Sequence, residues 1–126
     1  MKKSISIPGA PAPIGPYSQA VEVNNTIYIS GQIGLDPSTG DWINSSVSAE
    51  TEQVLKNIKS LIEASGLSMN NVVKCSIFLK DLADFNAVNE VYSTFFSEPF
   101  PARECVQVVK LPKDVNVEIS AIAARY

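Results

Sequence analysis

Residues 48–65, SAETEQVLKNIKSLIEAS, are the clearest helix in this chain of 126 residues and set its fold class. We expect Ser48 to cap this helix, because Glu50 and Glu52 then lie in its first turn and favour the positive end of the helix dipole. Gly66 is expected to end the helix. Apolar side chains recur at helical spacing and predict one buried stripe, formed by Val54, Leu55, Ile58, Leu61 and Ile62.

Strand patterns flank this helix on both sides. Two short strands are predicted before it, at 19–23 and 26–32, and Asn24-Asn25 is a two-residue hairpin signal between them because Asn tolerates positive φ. After the helix, residues 72–80 alternate between apolar and polar. This period of two predicts a strand with one apolar face, formed by Val73, Cys75, Ile77 and Leu79.

The second half of the chain repeats the helix-then-strand order. A second helix is predicted at about 82–96 with Asp81 as its cap, and two strands follow at 102–109 and 115–124, joined by a turn at 111–114. The order is therefore β-β-α-β-α-β-β. It predicts an α+β fold of two layers, with two helices on a mixed sheet of five or six strands, in a single domain of residues 1–126.

Composition excludes several kinds of function. The net charge is −3 and Lys2-Lys3 is the only adjacent basic pair, so a nucleic-acid partner is disfavoured. There is no histidine, which excludes the usual Ser-His-Asp and Cys-His catalysis, and the two cysteines are too distant to predict a metal site. The chain has no apolar stretch typical of a signal peptide or a membrane span, so we expect a cytoplasmic protein.

Two charges stand in the last two apolar strands. Burying the charge of Arg103 or Glu118 in a core costs free energy unless the charge is paired or serves a function. A guanidinium beside a carboxylate suits a small anionic ligand. If the two strands form a hairpin, the charges are held apart, on the order of 13 Å along the strand. A pocket that unites them therefore needs other elements or another chain. The alternative is that each charge joins a separate ion pair.

Other residues are candidates for the same pocket, each with an ordinary structural alternative. Tyr17 follows a rigid Gly-Pro turn and is either an aromatic lid or a packed loop residue. Ser30-Gly31 offers a hydroxyl and an approachable N–H, or is a plain strand end. Asn89 either serves the pocket or faces solvent. Cys105 has no histidine partner, which favours a pocket wall over a nucleophile.

These residues lie in segments that together resemble one known family, the Rid family of reactive intermediate deaminases, also called the YjgF-type family, and its RidA-like branch. The resemblance runs nearly end to end. It is carried by APIGPYSQA (12–20), YISGQIG (28–34), FLKDL (78–82), FNAVNEVY (85–92), PAR (101–103), CV (105–106), LPKDV (111–115) and VEI (117–119). Glu104 and Ser120 depart from the family pattern, which commonly has a small residue and a second acid there.

The resemblance implies a chorismate-mutase-like fold that assembles as a homotrimer with sites between subunits. It implies hydrolysis of 2-imino and 2-enamino acids to 2-keto acid and ammonia, without cofactor or metal. It assigns the substrate carboxylate to Arg103 and the water to Glu118. The other pocket positions that it implies are Tyr17, Ser30, Gly31, Asn89 and Cys105. A ribonuclease or translation inhibitor, and a non-catalytic ligand-binding or chaperone-like trimer, remain as alternatives.

Overall fold

The computed structural model describes residues 1–7, 13 and 15–126. The N-terminal loop at 8–16, which we expect to be extended and ordered, lies mostly outside these residues. Within them, six strands and two α-helices form two layers. The elements are β1 (Lys3–Ile5), β2 (Ala20–Val23), β3 (Thr26–Gln32), α1 (Val47–Ala64), β4 (Val72–Leu79), α2 (Phe85–Ser93), β5 (Ala102–Gln107) and β6 (Val117–Ala124).

The strands form one mixed sheet in the order β1-β2-β3-β6-β4-β5. Only β4 and β5 pair in parallel, and the other neighbours are antiparallel. The α-helix α1 packs against α2, β3 and β6. The α+β class and the mixed sheet are confirmed. The predicted element order is wrong by one strand, because the short polar segment Lys3–Ile5 pairs with β2 and carries no strong strand pattern of its own.

The first helix confirms the predicted stripe and corrects the predicted cap. All five stripe residues are fully buried. The cap is Ser46 rather than Ser48, because Ser46 has an extended backbone and its hydroxyl accepts a hydrogen bond from the Ala49 N–H at 3.0 Å. Gly66 follows the last turn with a φ of +83°, as expected of a helix stop.

Two local predictions for the strands have different outcomes. Asn24 and Asn25 have φ values of 51° and 61°, which confirms the tight hairpin between β2 and β3. In β4, Cys75, Ile77 and Leu79 are buried as predicted. Val73 is exposed instead, because a bulge between Val72 and Lys74 shifts the register and turns Val72 into the core.

The second helix is shorter than predicted. Asp81 does cap its start, but it caps a 3₁₀ turn at Leu82–Asp84, through a bond from the Ala83 N–H at 2.9 Å. The α-helix then runs only from Phe85 to Ser93. Its buried face places Val88 and Tyr92 in the core.

The final hairpin predicted from the sequence is wrong. Strand β6 lies between β3 and β4, and β5 pairs with the other side of β4. The connection through the 3₁₀ turn at Pro112–Asp114 therefore crosses over β4 instead of joining two neighbours. Arg103 and Glu118 consequently lie two strands apart.

No helix in the described part of the chain is both long and apolar enough to cross a membrane.

The position of the α1 cap can be tested with two serine variants. We expect Ser46→Ala to lower the free energy of unfolding by about 1 kcal/mol, since it removes the side-chain acceptor for the Ala49 N–H. Ser48→Ala is the matched control and should change stability by less than about 0.5 kcal/mol. Urea denaturation followed by circular dichroism measures both. A larger loss for Ser48→Ala would contradict the cap seen here.

Candidate active site

Glu118 projects from the middle of the sheet on the face away from the helices. Its neighbours Val117 and Ile119 are fully buried on the helix side, and side chains alternate along a strand. The Glu118 side chain is partly buried, and this burial raises the pKa of its carboxyl group. A carboxylate whose pKa is raised is a stronger proton acceptor than an ordinary glutamate.

A cavity of about 550 Å³ lies beside Glu118. Four residues singled out from the sequence line it together, namely Tyr17, Ser30, Gly31 and Glu118. Most of the remaining wall is apolar and includes Ile33, Leu35, Pro37, Trp42 and Pro112, with Lys113 also present. The structure thus assembles the carboxyl group of Glu118, the hydroxyl groups of Ser30 and Tyr17, and two aromatic side chains around a largely apolar space.

A bulge in β3 brings the backbone onto Glu118. The register of β3 against β6 shifts between Ile29 and Gln32, so Gly31 leaves the regular ladder. A Cβ atom at Gly31 would lie 2.7 Å from the Glu118 Cδ atom, closer than any side chain tolerates. Glycine is therefore required at Gly31 for the carboxyl group to occupy its present position.

Ser30 and Tyr17 form the side of the cavity next to the N-terminal loop. The Ser30 hydroxyl donates to the Ser18 carbonyl at 2.7 Å, and the Ser30 N–H donates to the Gln19 carbonyl at 2.9 Å. Ser30 therefore links the N-terminal loop to β3. Because its hydroxyl proton is already donated to Ser18, its oxygen can only accept a hydrogen bond from a ligand. Tyr17 is 54% exposed, so its ring is available at the rim of the cavity.

Arg103 forms a second cluster, at the edge strand β5. Its Nη1 donates to Asn89 Oδ1 at 2.7 Å. Its guanidinium carbon lies 4.8 Å from the centre of the Tyr92 ring and 5.6 Å from that of Phe85. These contacts orient the guanidinium without neutralising it, so the remaining N–H groups can bind a carboxylate. Asn89 holds the arginine and does not simply face solvent.

The thiols near Arg103 are protonated groups. Burial raises the pKa of the Cys75 thiol to about 11, and it also raises the pKa of Cys105 despite the nearby Arg103 charge. Cys105 is partly buried and packs against the core. This supports the interpretation of Cys105 as a wall of the site, since the thiolate is the nucleophilic form.

Within one chain, the two clusters point to opposite faces of the sheet. Arg103 pairs with the buried Cys75 and contacts α2, whereas Glu118 pairs with Phe78 on the other face. Two strand spacings and three residues along β4 put the Arg103 and Glu118 Cα atoms roughly 14 Å apart. Neither residue forms an ion pair within the described part of the chain, which disfavours the ion-pair alternative.

The two departures from the family pattern lie away from Arg103. Glu104 is exposed on the face opposite to Arg103, where it accepts a hydrogen bond from Ser76 and pairs with Lys74 at 3.3 Å. These contacts lower the pKa of its carboxyl group. Ser120 lies opposite Ser76 in the neighbouring strand. Glu104 and Ser120 therefore lie in one row of side chains, with Ser76 between them, on the face of the sheet away from the helices.

Sequence reasoning missed two polar residues of α1 that shape the cavity. Asn57 is buried and donates to the carbonyls of Ile33 and Leu35, at 3.1 and 2.8 Å, which fixes the segment that forms one wall. Glu50 is also buried and bonds to the residues just before Glu118. A signal was present for Asn57, because it lies inside the apolar stripe of the helix.

Comparison with known proteins identifies the class. Residues 8–125 match the family described as Endoribonuclease L-PSP. The chain is 51% identical to the mouse 2-iminobutanoate/2-iminopropanoate deaminase, covering 99% of this chain and 93% of the relative. It is 49% identical to the Escherichia coli K12 protein of the same name, with 99% of both chains covered. This chain belongs to the Endoribonuclease L-PSP family, also known as the YjgF or Rid family.

A solved structure supports this assignment. The RidA structure from the Antarctic bacterium Psychrobacter sp. PAMC 21119 has a TM-score of 0.91 to this fold at 50% identity, and 98% of this chain and 99% of that chain are covered. The similarity therefore includes every strand and helix that carries a candidate residue.

The contact between Gly31 and Glu118 can be tested directly. We expect Gly31→Ala to displace the Glu118 carboxyl group towards water, and so to lower its raised pKa towards the usual value of about 4.3. Because the atom in the way is at the end of a side chain that can rotate, stability should fall by no more than about 1 kcal/mol. A carbon-13 NMR titration of the Glu118 carboxyl group measures the shift. Ser120→Ala, on the same face of β6, is the control, and an unchanged pKa in Gly31→Ala would refute the argument.

Proposed function

We propose that this protein hydrolyses reactive 2-imino and 2-enamino acids, such as 2-aminoacrylate and 2-iminobutanoate, to a 2-keto acid and ammonia. Relatives at about 50% identity over nearly the whole chain carry the name of this activity. The observation that carries the proposal is the presence of two clusters, one around Arg103 and one around Glu118. One presents an oriented guanidinium, and the other presents a carboxyl group with a raised pKa in an apolar cavity.

The two clusters supply the two functions that the reaction needs. Arg103 binds the substrate carboxylate through charge-assisted hydrogen bonds, with Asn89 holding the guanidinium in place. An enamine first tautomerises to the imine, whose C=N carbon is electrophilic. Glu118 accepts a proton from water as the oxygen adds to that carbon and passes this proton to the nitrogen, which gives an amino alcohol. It then accepts the proton of the new hydroxyl group and delivers it to the amino group as the C–N bond breaks and the C=O bond forms. Ammonia and the 2-keto acid leave.

The remaining candidate residues shape the space around these two groups. Tyr17 covers the rim of the cavity, Ser30 and Gly31 form its polar floor, and Cys105 forms a wall beside Arg103. Because imines hydrolyse in water unaided, fixing the reacting carbon close to an activated water can supply most of the acceleration. The apolar wall also limits competing water around the imine.

A complete site in this proposal needs two copies of the chain. Arg103 and Glu118 point to opposite faces of one sheet, so a single chain does not bring them to one substrate of three or four carbons. Arg103 lies on β5, an edge strand whose outer side has no partner strand in the described chain. We propose a homotrimer in which the β5 edge of one copy borders the Glu118 cavity of the next.

The role of Arg103 can be tested by ammonia release from freshly generated 2-aminoacrylate. We expect Arg103→Ala to remain folded, because the side chain is exposed, and to lose on the order of a hundredfold or more in kcat/KM, since each charge-assisted bond contributes about 1.5–3 kcal/mol. Arg125→Ala is the matched control, because Arg125 pairs with Glu22 away from both clusters. Full activity of Arg103→Ala would rule the scheme out.

The shared site can be tested by mixing two inactive variants. If Arg103 and Glu118 of different copies form one site, subunit exchange between Arg103→Ala and Glu118→Gln should restore up to about a quarter of wild-type activity in a cyclic trimer with random assortment. A mixture of Arg103→Ala with the Arg103→Ala/Glu118→Gln double variant is the control and should stay inactive. No recovery after verified subunit exchange would place both residues in one chain and contradict the proposal.

The family description favours a second candidate, cleavage of RNA. The net charge of −3 and the absence of histidine weigh against it, because phosphate binding calls for a basic surface. The Arg103→Ala variant distinguishes the two candidate functions when it is compared with wild type in both assays. RNA cleavage by protein freed of contaminating nuclease, and equal in Arg103→Ala and wild type, would favour the ribonuclease, whereas imine hydrolysis lost in Arg103→Ala favours the deaminase.

A further inference from the structure

Glu50 is a buried carboxylate that the proposed reaction does not use. It lies in the first turns of α1, and only 2% of its surface is exposed. The sequence alone places it near the positive end of a helix dipole, yet its side chain turns into the protein. A carboxylate withdrawn from water is costly unless hydrogen-bond donors replace the lost water, so its partners show what it holds in place.

In the part of the chain that the structure describes, the Glu50 carboxylate bonds to Asn116, just before β6, and to Val117, the first residue of β6. Its Oε2 accepts from the Asn116 N–H at 2.8 Å and from the Val117 N–H at 3.3 Å. Its Oε1 accepts from Asn116 Nδ2 at 2.8 Å. The Asn116 carbonyl in turn accepts from the Lys80 N–H at 2.9 Å. The two residues that immediately precede Glu118 are therefore held from both sides.

The end of β3 and the residues that follow it pack against the side chains of both acids. A Cβ atom at Gly34 would lie 2.9 Å from Glu50 Cγ, just as one at Gly31 would collide with the Glu118 side chain. Two glycines three residues apart thus allow the same segment to pack on Glu50 and on Glu118. The positions of the two acids are coupled through this shared neighbour and through the backbone at Asn116 and Val117.

Glu50 does not reach the cavity of the proposed reaction. Within the described residues it is absent from the lining of the Glu118 cavity, and it borders a separate cavity of about 280 Å³ together with Gly34, Trp42 and Lys113. It therefore cannot touch a substrate held at Glu118. Any influence it has on the reaction must act through the backbone just before Glu118 or through the segment that contains Gly31 and Gly34.

We propose that Glu50 is a positioning residue for Glu118: it fixes the backbone of Asn116 and Val117 so that the Glu118 carboxyl group lies against Gly31 in the cavity. The proposal rests on the proposed function for its effect on catalysis, because that function gives Glu118 the proton transfer. Its structural part, the control of the Glu118 position, stands on the hydrogen bonds alone.

A double-mutant cycle with Glu118 tests the catalytic part. We expect Glu50→Leu to lower kcat on the order of tenfold to a hundredfold with little change in KM. Glu50→Gln should recover most of kcat, since its amide oxygen can accept a backbone N–H and its NH₂ can donate to a rotated Asn116 amide. In a Glu118→Gln background, Glu50→Leu should cause no further loss. Glu63→Gln, exposed on the same helix, is the control.

The outcomes of the cycle are distinct. A loss confined to kcat, rescued by glutamine and absent without Glu118, supports the proposal. A loss of the same factor in both backgrounds, or a change in KM alone, would overturn it, because a merely structural residue gives that result. If Glu50→Leu does not fold, Asn116→Ala replaces it in the cycle, since it removes only the bond to Oε1.

An NMR titration tests the structural part without any turnover. Burial raises the Glu118 pKa, and the other titratable groups that line its cavity are Tyr17 and Lys113. Loosening the start of β6 should let water reach the carboxyl group and lower that pKa towards about 4.3 in Glu50→Leu. Glu63→Gln should leave it unchanged. An unchanged pKa in Glu50→Leu would refute the proposal, whereas a lowered pKa in a protein without imine hydrolysis would refute only the proposed function.

Discussion

Strand β6 hydrogen-bonds to β3 on one side and to β4 on the other, and the positions of Arg103 and Glu118 depend on this pairing. Alternation along β6 buries Val117, Ile119, Ala121 and Ala123 against the helix layer and leaves Glu118 on the opposite face. The same strand displaces β5 to the edge of the sheet, with Arg103 turned towards α2. The separation of the two charges is thus a consequence of strand order.

The surroundings of the two charges differ in a way that suits different tasks. Arg103 stays exposed, stacked on Tyr92 and bonded to a neutral amide, so its charge is available to an anion. Glu118 is partly buried beside apolar walls, so its carboxyl group holds its proton to a higher pH than usual. One site presents a permanent positive charge, and the other presents a group that can exchange a proton.

Local features of the fold were predictable because they depend on neighbouring residues. The α1 stripe, the Asn24-Asn25 turn and the Gly66 stop follow from spacing and from residues that accept positive φ. The cap at Ser46 and the exposure of Val73 were missed, since several serines compete at the helix start and one bulge inverts a strand face. The final hairpin was wrong because β4, distant in sequence, inserts between β5 and β6.

The sequence by itself determined the fold class, the residue types of the candidate site and the membership in a family, because short motifs and periodic patterns carry that information. The tertiary structure alone decided which candidates meet: Tyr17, Ser30, Gly31 and Glu118 line one cavity, while Arg103, Asn89 and Cys105 belong to another cluster. It also revealed Glu50 as a buried support for β6. The physical reason is that pairing between distant strands, which local patterns do not encode, sets the face and the distance of each side chain.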